Sequence, residues 1–153
     1  MKRQITLLIL ILFVGFFFYG CEEKEDTKDY ITVNISFEGV VDLKNSTTGE
    51  YVDCPEEFQL ETMRVDITKA GGENFNLFVE TNEDCDFFSD GTVSFKLYRD
   101  QDIEAMAYFE TVPSGYTQIR GIEILTWDEV FPRNDFGETY DWFPFLYVRW
   151  LFN

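Results

Sequence analysis

From Tyr30 onward, apolar and polar side chains alternate with a period of two. Ile31, Val33, Ile35 and Phe37 interleave with Tyr30, Thr32, Asn34 and Ser36, the pattern of a strand that buries one face. The alternation returns at Met63, Val65, Ile67; at Phe75, Leu77, Val79; at Val93, Phe95, Leu97; and at Ile103, Ala105, Ala107, Phe109. Turn-forming residues separate these runs. Ala70-Gly71-Gly72-Glu73 predicts a hairpin, and Arg99-Asp100-Gln101-Asp102 and Pro113-Ser114-Gly115 predict two further turns. A sixth run, Tyr116 to Leu125, changes phase: Ile119 has one parity, Ile122 and Ile124 the other, and Gly121 between them predicts a bulge. A seventh strand spans roughly Phe143 to Leu151. No segment shows the period of a long amphipathic helix.

About seven short strands joined by short turns predict an all-β fold, an antiparallel β-sandwich of immunoglobulin-like or transthyretin-like type, with a small β-barrel as the alternative. Residues 30–153 suffice for one core and are too few for two.

The N-terminus has a different character. Lys2 and Arg3 precede an apolar run from Ile5 to Tyr19, followed by Gly20 and Cys21. That order, positive, apolar, then small, is an export signal. As a helix, a run of about fifteen residues rises roughly 22 Å, short of the roughly 30 Å hydrocarbon core of a bilayer. Phe18-Tyr19-Gly20-Cys21 resembles the bacterial lipoprotein signal, with Phe18 and Tyr19 in place of the usual leucine and small residue. The resemblance implies cleavage after residue 20, acylation of Cys21 and a lipid anchor in the outer membrane. The acidic and lysine-rich residues 22–29 behind it resemble a surface-export signal, with a solvated spacer as the alternative. Residues 21–29 then form an acidic tether, too polar to pack a core.

With Cys21 acylated, Cys54 and Cys85 remain in an exported chain, and oxidation to a disulfide is expected. In the chain-entropy model, closing such a loop contributes roughly 3 to 4 kcal/mol.

The chain carries 29 acidic and 12 basic side chains, a net charge of −17. A field of that sign repels phosphate backbones and argues against nucleic acid as a partner. Histidine is absent, which removes the commonest general base and zinc ligand. No nucleophile elbow or phosphate-binding glycine loop occurs. The expectation is a monomer that is not an enzyme and needs no cofactor, with Ca²⁺ the one candidate ion. Its candidate ligands are Asp84, Asp86 and Asp90, in an acidic stretch around Cys85.

Ten of the 26 residues from Trp127 to Phe152 are aromatic, more than one small core readily absorbs. Rings bordered by carboxylates suit sugars, whose apolar faces stack on aromatics and whose hydroxyls donate to acids. Trp127, Tyr140 and Trp142 are the expected contacts of a glycan or peptide. The alternative is an accessory subunit that docks on an envelope protein through an aromatic patch.

Overall fold

A computed structural model describes residues 29–59 and 61–153; the signal segment, Cys21 and most of the tether lie outside the described residues. Twelve strands are described: β1 (Tyr30–Ile35), β2 (Glu38–Asn45), β3 (Tyr51–Val52), β4 (Thr62–Lys69), β5 (Glu73–Glu80), β6 (Asp86–Phe88), β7 (Val93–Tyr98), β8 (Asp102–Tyr108), β9 (Tyr116–Ile119), β10 (Gly121–Thr126), β11 (Thr139–Trp142) and β12 (Phe145–Phe152). A four-residue helix, α1 (Trp127–Val130), follows β10.

The strands form a β-sandwich. One layer is the sheet β10-β8-β4-β5. The other combines β11-β1-β7 with β3-β2-β12-β9, and β6 also pairs with β2. The two parts of this layer are continuous, because Thr32 pairs with Thr139 and Glu38 with Phe145 in one unbroken parallel register. Backbone bonds from Ser36 N–H to the Trp142 carbonyl (3.1 Å) and from Glu38 N–H to the Pro144 carbonyl (3.3 Å) carry the ladder across the gap. Among the described residues no sheet closes on itself, so the barrel alternative is set aside.

Three expectations need correction. Parallel pairing of β1 with β11 and of β2 with β12 makes the sandwich mixed, not purely antiparallel. Strands β2, β3, β6 and β11 raise the count beyond seven. The phase change at Gly121 is not a bulge within one strand but a passage between sheets: β9 pairs with β12, and β10 with β8. Gly121 permits the crossing because a Cβ there would meet the Tyr147 backbone at 2.9 Å. Of the three predicted turns, only the one at Gly71 and Gly72 closes a hairpin, β4 with β5. The turns β7–β8 and β8–β9 also pass between layers. The side-chain amide of Gln118 clasps both backbone groups of Phe109, at 2.6 and 3.0 Å, and so ties the second crossing.

The core follows the alternation. Ile31, Val33 and Ile35 meet Met63, Val65, Ile67, Ile103 and Ala105 in one buried cluster. At one end Trp150, 1% exposed, packs against Phe58 (4.9 Å between ring centres), Phe109 (5.3 Å) and Tyr116 (5.8 Å). Cys54 and Cys85 are joined in the expected disulfide, with Cα atoms 5.7 Å apart. It ties the segment after β3 to the loop before β6.

Candidate functional site

The aromatic C-terminal quarter divides between the inside and the outside. Trp127 is 5% exposed, and as the first residue of α1 it turns into the core, stacked on Phe131 at 5.0 Å with planes 19° apart. It supports the loop and is not a solvent-facing contact. Tyr140 and Trp142, two residues apart on β11, share a face and are half-buried. Their backbone is fixed from the other face, where the Asn34 amide donates to Asp141 Oδ1 (3.1 Å) and accepts from the Ser94 hydroxyl (2.7 Å).

Strands β10 and β11 are edge strands of opposite layers. Between them opens a cleft of about 500 Å³ lined by Tyr140, Trp142, Glu123, Asp128, Glu129 and Arg133, with Ile124, Leu125 and Pro132. That volume is in the range of small-ligand sites. The base of the cleft is set by α1. Glu129 Oε2 accepts from the Thr126 backbone N–H at 2.8 Å and from its hydroxyl at 3.0 Å, a capping arrangement that fixes the first turn. These two donors hold the Glu129 carboxyl below its ordinary pKa, with the Arg133 charge assisting. Asn134 Nδ2 closes the far end on the Val130 carbonyl at 2.9 Å. The result is two rings beside carboxylates and one guanidinium, able to stack on a flat apolar ligand face and to accept hydrogen bonds from hydroxyls.

The acidic stretch around Cys85 is organised by an asparagine. Asn82 Oδ1 accepts from the backbone N–H groups of Asp84 and Asp86, both at 2.9 Å. This tight loop carries Cys85 in the left-handed region, at φ 63°, and presents its sulfur to Cys54. Asp84 lines a second cleft of about 600 Å³ with Asp42, Asp53, Glu83, Gln59 and Tyr51, and Asp86 lies on β6. Asp90 follows in the loop between β6 and β7, and among the described residues no three histidine, cysteine or carboxylate side chains are gathered as a metal group.

The outer face of the β10-β8-β4-β5 layer holds a network the sequence did not reveal. Arg64 Nε donates to Asp66 Oδ1 (2.7 Å), Arg64 Nη1 donates to Glu110 (3.0 Å), and Tyr108 OH donates to Asp66 Oδ2 (2.9 Å). The Arg120 guanidinium covers the Tyr108 ring at 4.5 Å. Desolvation first, then the bond to Asp66, raises the Tyr108 pKa, and the two carboxylates raise that of Arg64. The signal lay in the outward positions of β4 and β8, which are visible as neighbours only once Arg64 is seen to pair with Tyr108.

Comparison with known proteins returns no match to any family model, curated protein or solved structure.

Proposed function

We propose that this chain is a bacterial lipoprotein, anchored to the outer membrane through acylated Cys21, whose β-sandwich is a non-catalytic module that binds a glycan. One observation carries the binding reading: Tyr140 and Trp142 stand side by side in an open cleft whose remaining polar groups are mainly carboxylates. Stacking on a pyranose face and acceptance of its hydroxyl hydrogens use just these groups. An extended peptide is the competing ligand for the same cleft.

Titration of soluble glycans against the protein should quench tryptophan fluorescence, and the response should vanish in Trp142→Ala while surviving in Trp127→Phe. No response across a broad glycan panel removes the reading. Calcium rests on residue type alone; a melting temperature equal in Ca²⁺ and in chelator removes it. A second reading, an accessory subunit of an envelope assembly, is favoured by three aromatic side chains on the outer faces of β6 and β12, on either side of β2: Phe88, Phe145 and Tyr147 are 58, 38 and 54% exposed.

A further inference from the structure

The outer face of β6-β2-β12 is built in rows by strand register. Phe88, Glu38 and Phe145 form one row, and Asp86, Val40 and Tyr147 the next. Phe145 and Tyr147 lie against each other with ring centres 4.7 Å apart. Their strand neighbours Leu146, Val148 and Trp150 fill the core, so the alternation that builds the core also commits these rings to the surface. Exposed aromatics on β6 and β12, on either side of β2, mark an interaction surface.

The charges around the rings identify what fits. Glu38 lies between Phe88 and Phe145, and Asp86 flanks Val40. The cleft alongside adds Asp42, Asp53, Glu83 and Asp84. The bases of this face are already engaged. Lys44 and Arg149 both lie over the Tyr51 ring, at 5.2 and 5.8 Å, and Arg149 also reaches Asp42 at 3.9 Å. The surface therefore sets exposed rings directly beside carboxylates, with Glu38 among the rings and the acidic cleft along one rim.

We infer that this face docks a partner protein presenting lysine or arginine side chains around an apolar anchor. The rim disfavours the other occupants. A second copy related by a two-fold axis would set one carboxylate rim against another. Insertion of the rings into an anionic bilayer surface would bring the same rim against headgroups of like charge, on a chain of net charge −17. A cationic partner gains from both features: rings for affinity, and carboxylates for orientation and association rate.

The inference rests on the assembly reading and names the partner's chemistry. Its test places the photocrosslinker p-benzoylphenylalanine at position 147 or 88 of the full-length protein in its native cells, with position 78 on the exposed face of β5 as control. The expected result is one crosslinked protein from positions 147 and 88 and none from 78. That protein, purified, should bind the full-length chain in detergent with affinity that falls roughly tenfold or more from low to high salt. Affinity should fall comparably in Glu38→Lys/Asp86→Lys. The salt series needs no variant, so a folding defect in the double substitution cannot obscure it. Crosslinks to lipid, to a second copy or to nothing overturn both this inference and the assembly reading. A partner whose binding ignores salt overturns the cationic assignment and leaves the assembly reading in place.

Discussion

The two outer faces of the sandwich are made by the same alternation, and both expose apolar side chains: Phe78, Ile122 and Ile124 on one, Phe88, Phe145 and Tyr147 on the other. They differ in how their charged groups are met. On the β10-β8-β4-β5 layer, Arg64, Asp66, Tyr108, Arg120 and Glu110 bond or stack with one another, so their polar capacity is largely met within the chain. On the β6-β2-β12 face, rings stand exposed beside carboxylates that outnumber the bases. Period-two alternation decides only which side chains leave the core. What they do afterwards depends on whether neighbouring strands supply complementary groups, and register determines that.

The largest test of this contrast lies within β12, where neighbouring residues serve opposite purposes. Trp150→Ala should cost about 3 to 5 kcal/mol, because it empties the contact of Phe58, Phe109 and Tyr116. Tyr147→Ser, on the other face, should leave stability within about 0.5 kcal/mol. Urea denaturation of both variants measures the difference. Comparable losses would mean that Tyr147 belongs to the fold, and the docking surface would lose its basis.

A smaller effect separates the face with the charged network from the one without it. Asp66 accepts from both Arg64 and Tyr108, so Asp66→Asn should cost about 1 kcal/mol, since the network is partly exposed. It should also bring the alkaline ionisation of Tyr108 down toward its ordinary range, followed by ultraviolet titration. The sign is fixed by linkage: the raised Tyr108 pKa contributes stability at neutral pH that is lost as pH rises through the folded-state value. An unmoved tyrosine titration would show that Asp66 does not control the ring.

Much of the fold was legible because burial follows parity: Ile31, Val33, Ile35, Phe37, Val41 and Leu43 are all inward. The same unbroken parity hid the division into β1 and β2, since the chain changes pairing partners at Ser36 and Phe37 without changing face. Val40 beside Val41 blurred β2 further, and β6 and β11 are too short to establish a period. Parallel pairing of the two chain ends leaves no local signal, because its partners are more than a hundred residues apart. At the cleft, aromatic density pointed to Tyr140 and Trp142. Trp127 misled because the same density cannot distinguish a ring under a helix from one in a wall. Glu123 and Arg133 carried no mark at all; an edge strand and a short 3-10 turn bring them to the cleft.

The smallest expected effect concerns the base of the cleft. Glu129 is held ionised by the backbone N–H and hydroxyl of Thr126, so its folded-state pKa lies below the ordinary 4.5. A depressed carboxyl contributes stability that is fully present above that ordinary value and fades as pH falls through the folded-state value. Glu129→Gln retains an oxygen able to accept from Thr126 but cannot titrate. The stability difference between wild type and variant, from urea denaturation at stepped pH, should therefore be positive near neutrality and shrink on acidification. Tryptophan emission should report loosening of α1 in the wild type over the same interval, because Trp127 begins that helix. A difference that stays constant with pH would mean that the charge on Glu129 contributes nothing to the cap. The cleft would then be shaped by the Asn134 and aromatic contacts alone.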